Sequence, residues 1–127
     1  DVCREFVRML QPTNELPFRY SKMGRWMGKT TVRDEKASDG LRTAETEIDL
    51  LCIGKDAKEY LVGECKFKGV PFSYSEYLDT LAKLTPLKEK SKFYYALFSE
   101  SGFDQKTLDC AAMNETQLYS LEDIVEI

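Results

Sequence analysis

Glu45-Thr46-Glu47-Ile48-Asp49-Leu50-Leu51-Cys52-Ile53 and Tyr60-Leu61-Val62-Gly63-Glu64-Cys65-Lys66-Phe67 are the two stretches on which the fold turns. Both have strand length, and the polar link Gly54-Lys55-Asp56-Ala57-Lys58-Glu59 is short enough for a hairpin, so they are expected to pair antiparallel. Alternation places Glu45, Glu47, Asp49 and Leu51 on one face of the first strand and Thr46, Ile48, Leu50 and Cys52 on the other. On the second strand Tyr60, Val62, Glu64 and Lys66 share a face, opposite Leu61, Gly63, Cys65 and Phe67. With Asp49 across from Glu64, two carboxylates and an ammonium converge among largely apolar flanks.

Upstream, Val2, Phe6, Met9 and Leu10 recur at helical spacing, and the helix should stop before Gln11-Pro12, because the residue preceding proline is pushed out of the α region. From Pro17 to Arg42 the pattern is irregular or extended and basic, with Arg19, Lys22, Arg25, Lys29, Arg33, Lys36 and Arg42 against Asp34, Glu35 and Asp39. Downstream, Ser73 with Glu76 three residues on forms a capping box, and Leu78, Leu81, Ala82 and Leu84 mark the buried face of a helix ended by Pro86. Phe93-Tyr94-Tyr95-Ala96-Leu97-Phe98 is a continuous apolar run that suits a central strand covered on both faces. Asp104 can cap a helix carrying Leu108, Ala111 and Ala112, Gln117 to Leu121 reads as a last strand, and Glu122 to Val125 as a terminal turn. Helices alternating with strands in this order give a three-layer α/β domain.

The chain has 127 residues, 43% of them apolar or aromatic and 31% charged, with 22 acidic and 18 basic side chains. One domain spanning 1–127 with its own core is the expectation, needing neither disulfides nor a structural metal. No apolar run is long enough to cross a membrane, and no signal-peptide pattern opens the chain. Cys3, Cys52, Cys65 and Cys110 lie far apart with no CxxC pair, which favours reduced thiols and a cytoplasmic location. Histidine is absent, which removes zinc-finger spacing, histidine general bases and Ser-His-Asp or Cys-His catalysis. Chemistry falls to carboxylates, lysine and arginine.

Gly24-Arg25-Trp26-Met27-Gly28-Lys29-Thr30 has the residue types of a phosphate-binding loop, but three residues separate the glycines where four are required. It reads instead as a basic turn with Trp26 on the core. The basic segment around it could track a nucleic-acid backbone, with Trp26 or Tyr20 for stacking, though a solvated loop explains it too. The carboxylates are more telling. Two of them close together repel unless one is protonated or a cation lies between them. Mg²⁺ accepts one or two carboxylates plus waters and substrate phosphates, and it lowers the pKa of bound water. Lys66, two residues past Glu64 on the same face, can orient that water or neutralise a phosphate. Such residues on a strand can equally be a solvated face, but Gly63 and the apolar flanks point to a covered strand in which Glu64 is unusual.

Glu47-Ile48-Asp49-Leu50-Leu51 followed by Leu61-Val62-Gly63-Glu64-Cys65-Lys66 resembles the D…(D/E)xK signature of the restriction-endonuclease-like, or PD-(D/E)XK, superfamily. Together with Gly24-Arg25-Trp26 and Phe98-Ser99-Glu100-Ser101-Gly102-Phe103, these stretches are similar to the carboxy-terminal domain of unknown function on a family of prokaryotic P-loop ATPases. The resemblance implies a restriction-endonuclease-like three-layer core, a mixed sheet flanked by helices. It implies Asp49 and Glu64 as ligands of Mg²⁺ or Mn²⁺, Lys66 as the third catalytic member and Glu5 as the acid on the opening helix. Glu47 is a further metal candidate from its predicted face, and Ile48 stands where relatives sometimes carry proline. An upstream ATPase module in the same polypeptide would hold the ATP, consistent with a chain that opens inside a helix.

Three functions follow. The first is a Mg²⁺-dependent phosphodiesterase acting on DNA, with Asp49, Glu64 and Lys66 at its centre. The second is a noncatalytic module that keeps the nuclease fold and regulates an attached ATPase. The third, an unrelated α/β binding domain, applies if Asp49 and Glu64 lie more than about 8 Å apart, too far for one Mg²⁺ with bonds of ~2.1 Å to join.

Overall fold

The computed structural model, which describes residues 2–10, 16–67, 69–114 and 116–120, contains one five-stranded sheet. Its strands are β1 (Tyr20–Arg33), β2 (Leu41–Gly54), β3 (Glu59–Lys66), β4 (Lys92–Ser99) and β5 (Thr116–Ser120), adjacent in that order. β1 pairs antiparallel with β2 and β2 with β3, whereas β3 pairs parallel with β4 and β4 with β5. Three helices complete the fold: α1 (Val2–Leu10), α2 (Tyr74–Ala82) and α3 (Gln105–Ala111).

α1 covers one face, where Cys3, Phe6 and Val7 pack on Leu50, Cys52, Leu61, Ala96 and Phe98. Phe6 meets Tyr119 edge-on with ring centroids 4.8 Å apart, and Phe98 stacks on Tyr119 at 5.2 Å. On the other face Ile48, Leu51, Val62, Phe93 and Tyr95 gather against Trp26, Leu81 and Leu84. Phe72, Tyr77 and Leu97 form a neighbouring cluster with Cys110 and Leu118, which brings in α3. Helices on both faces of a mixed sheet make a mixed α/β fold of three layers. Among the described residues no helix is long and apolar enough to cross a membrane, and the four cysteines are free thiols.

The hairpin forms as its sequence dictates, and its link takes a short 3-10 turn in which Asp56 and Ala57 have φ of 62° and 54°. The Ser73 hydroxyl accepts from the Glu76 amide while the Glu76 carboxylate accepts from the Ser73 amide, completing the capping box. Asp104 caps α3 by accepting from the Thr107 amide at 2.9 Å. β4 is buried from Tyr95 to Ser99, with β3 on one side and β5 on the other.

Most of Pro17 to Arg42 is extended, as β1, but the region of the expected basic turn is strand. This is the edge of the sheet. Of its residues only Thr30 is buried, and register shifts at Tyr20/Lys22 and Gly24/Trp26 break the alternation that would announce a strand. Trp26 does pack on the core, as read. The helices bury the expected faces in part, with Phe6, Ala82 and Ala111 buried and Leu81 and Leu84 packed against the core. Tyr77, Thr80 and Ala82 are the buried residues of α2, while Met9 of α1 and Leu108 of α3 are exposed. Tyr77 is admitted because its hydroxyl finds Thr116 Oγ1 at 2.6 Å. The last strand begins at Thr116 rather than Gln117, and the Gln11-Pro12 stop and the turn at 122–125 fall outside the described residues.

Gly63 pairs with Leu50, and a Cβ there would lie 2.9 Å from Leu50 Cδ2 and 3.0 Å from its Cβ. Gly63→Ala is therefore expected to cost about 1–3 kcal/mol through overpacking, read as a lower denaturant midpoint with an unchanged slope. An unchanged midpoint would show that β2 and β3 tolerate a wider separation.

Candidate functional site

The decisive local feature is a bulge in β2. Gly24 pairs with Leu51 and Trp26 with Ile48, so β2 carries one more residue than β1 across that interval, at Asp49-Leu50. Ile48 consequently shares its cluster with Leu51, while Leu50 and Cys52 face α1. Strict alternation, which grouped Ile48 with Leu50 and Cys52, fails at this point. The β2·β3 ladder ends at Leu50↔Gly63, whereas β3 continues alongside β4 as far as Lys66↔Ser99. Beyond the ladder's end the Asp49 side chain takes the place of backbone pairing: its Oδ2 accepts from the Cys65 amide at 3.0 Å.

Glu64 and Lys66 lie on the α2 side of β3, at a cleft of about 360 Å³ lined by Glu64, Lys66, Phe72, Glu76, Thr80 and Lys83. Asp49, held by the amide of the residue next to Glu64, lies near enough for its charge to raise the Glu64 carboxyl. Lys83, just past the end of α2, donates to Glu64 Oε1 and, at 2.8 Å, to the Glu47 carbonyl. The Glu64 and Lys83 side chains are only 14% and 13% exposed. Burial pushes the Glu64 carboxyl up to about 7, with Lys83 opposing the shift and Asp49 adding to it. Lys66 reaches Glu76 Oε1 at 2.5 Å and the Pro71 carbonyl at 3.3 Å. Glu76 is held below the usual carboxylate range by its bonds to Lys66 and Ser73, which outweigh its partial burial.

Glu64 and Lys66 thus line one cleft, and Asp49, outside its lining, adjoins Glu64 through the Cys65 amide. Glu47 turns its carboxylate to Arg25, 2.7 Å away in an exposed pair, and contributes only its carbonyl to Lys83. Glu5 is exposed on α1. Among the described residues no three or more Cys, Asp or Glu side chains form a group able to hold a metal ion, so neither Glu5 nor Glu47 completes such a set. The donors that remain, two carboxylates beside a cleft, suit Mg²⁺ or Mn²⁺, which keep several waters, rather than a closed zinc site. Arg33 and Arg42 of the basic segment are occupied with Asp79 and Asp34, as Arg25 is with Glu47.

Glu76 and Lys83 are the site residues that the sequence alone did not single out. Glu76 was legible only as a cap. Lys83 carries a faint signal, a charge inside Leu81-Ala82-Lys83-Leu84 at the end of an amphipathic helix.

Residues 1–79 match DUF234, archaeal and bacterial proteins of unknown function. The chain belongs to that family. No curated protein matches it. Among solved structures this DUF234 chain is similar to AF1548, a protein of unknown function, with a TM-score of 0.59 and 15% identity over 99% of this chain and 66% of that one. It is also similar to protein VC1899 from Vibrio cholerae, with a TM-score of 0.58 and 14% identity over 96% of this chain and 29% of that one. At these identities the likeness is one of fold. The DUF234 chain spans about two-thirds of the first structure and less than one-third of the second.

The raised Glu64 carboxyl has a consequence for stability in the metal-free chain. Between its ordinary value of 4.5 and about 7 the folded state holds a proton that the unfolded state has released. Its contribution is therefore fully present below about pH 4.5 and is lost as the pH rises through about 7. Relative to Glu64→Gln, the native chain should lose up to about 1.4 kcal/mol of stability per pH unit across that window. Urea melts of both chains from pH 4 to 8 measure this, and parallel curves would show that Glu64 ionises normally.

Proposed function

We propose that the cleft is the active site of a Mg²⁺- or Mn²⁺-dependent phosphodiesterase acting on DNA, built on a restriction-endonuclease-like core. The observation that carries this reading is that Asp49 of β2 is bonded to the Cys65 amide, between Glu64 and Lys66 at the carboxyl end of β3. Crevices at the carboxyl ends of parallel strands are where open α/β sheets bind ligands. The acid-then-acid-x-lysine order along β2 and β3 supports the superfamily assignment. Asp49 and Glu64 would hold the ion, which when bound supplies Lewis acidity and a more acidic water.

The chain's own residues then have distinct tasks. The Cys65 amide fixes the Asp49 carboxylate, and Glu76 with the Pro71 carbonyl aims the Lys66 ammonium into the cleft. There Lys66 can neutralise a phosphodiester as charge builds on its oxygens. Hydrolysis joins a water oxygen to phosphorus and breaks one phosphorus–ester bond. One water proton leaves with the departing alcohol, and the other is released from the phosphate monoester formed.

A second reading, a noncatalytic module that regulates an attached ATPase, is favoured by a different observation: Lys66 and Glu64 each already have a protein partner of opposite charge. The two separate cleanly. Cleavage of DNA by the chain, alone or within its natural polypeptide, should require Mg²⁺ or Mn²⁺ and fall at least about a hundredfold in Asp49→Ala and in Lys66→Ala, with circular dichroism confirming that both variants fold. Absence of cleavage with either metal, alongside altered ATP turnover in the parent polypeptide when this domain's surface is changed, would select the regulatory reading.

A further inference from the structure

Lys83 has no part in the D…(D/E)xK pattern, yet it makes the most enclosed ion pair of the site. Its backbone is fixed independently of that pair. The Lys83 amide donates to the Thr80 carbonyl at 3.2 Å, ending α2, and the next residue, Leu84, takes a left-handed φ of 60° with its amide on buried Thr30 Oγ1 at 2.8 Å. The side chain rises from this anchored root to sit between the Glu64 carboxylate and the Glu47 carbonyl. The ammonium thus holds two oxygens, of the Glu64 carboxylate and the Glu47 carbonyl, of the kind a hard divalent ion at Glu64 would seek.

We infer that Lys83 is a resident counter-ion, a positioning residue whose ammonium neutralises Glu64 in the cation-free chain and must give up that contact when a divalent ion binds. The inference rests on the two-carboxylate reading above and adds to it a built-in competitor. Four unbranched methylenes give the ammonium room to withdraw along the cleft wall without moving the Thr30-anchored backbone. Withdrawal places a second positive charge, beside Lys66, in the cleft lined by both residues, where an incoming phosphodiester would meet it.

Mn²⁺ alone is the probe, its free signal followed by electron paramagnetic resonance with native chain, Lys83→Met and Lys83→Arg. Removing a competing charge at this range should tighten Mn²⁺ binding about tenfold in Lys83→Met, while Lys83→Arg, which keeps the charge, stays near the native affinity. In native chain labelled at lysine Cε, the Lys83 resonance should shift saturably with Mg²⁺, a measurement that stands even where Lys83→Met does not fold. Equal or weaker binding by Lys83→Met, or a Lys83 resonance that stays fixed while Mg²⁺ saturates the site, overturns the inference and leaves the metal site intact. No Mn²⁺ uptake by native chain or Lys83→Met overturns both.

Discussion

Glu64 cannot be buried bare. A carboxylate taken out of water costs several kcal/mol unless a positive partner and hydrogen bonds restore what solvation supplied, and around this one side chain most of the fold is engaged in supplying them. Lys83 comes from the end of α2, is steadied by Thr30 of β1 and leans on the Glu47 carbonyl of β2. Asp49 approaches from the β2 bulge and is held off full contact with water by the Cys65 amide of β3. Four elements thus meet at a charge that the apolar flanks of β3 would otherwise exclude. This expense explains little about stability, since a buried ion pair seldom improves on well-packed apolar residues, and it is the kind of arrangement that sites require.

The charges also balance in a particular way. Lys66 pairs with Glu76 and Lys83 with Glu64, while Asp79 is matched by Arg33, and Asp49 accepts from the Cys65 amide. Two adjoining carboxylates can therefore persist without an ion, because one is neutralised by lysine and shifted toward its protonated form. Glu76 serves twice, once as the capping acid of α2 and once as the anchor of Lys66, so the helix start and the lysine's aim are set by one side chain.

Local chemistry made much of this legible in the sequence. The Ser73/Glu76 capping box, the Asp104 cap and the central apolar strand depend on residues within a few positions of one another, and the structure has them where the sequence put them. β1 was illegible because a sheet edge buries one residue fully and interrupts its alternation with register shifts, so neither hydrophobicity nor period marks it. The bulge at Asp49-Leu50 was hidden for a related reason: it is defined by the partner strand, and only pairing with β1 reveals the extra residue. Asp49, Glu64 and Lys66 stood out as charges in apolar strands. Lys83 and Glu76 did not, since a lysine after a helix and a glutamate at N3 have ordinary surface explanations until the third dimension turns them inward.

The position of the site follows from the topology of β3. It alone has an antiparallel neighbour on one side and a parallel neighbour on the other, and the two ladders end at different residues. β4 accompanies β3 to Lys66, but β2 stops at Leu50↔Gly63, so Glu64, Cys65 and Lys66 keep one bonded edge and lose the other. The tight fit of Leu50 over Gly63 holds β2 against β3 at the last pair, and the bulge swings the chain away immediately beyond it. An edge opened in this way exposes an amide that must be satisfied, and the Cys65 amide is satisfied by Asp49. The side chain that repairs the ladder is thereby the one delivered to Glu64, which makes the pairing of the two acids a consequence of where the antiparallel half of the sheet ends.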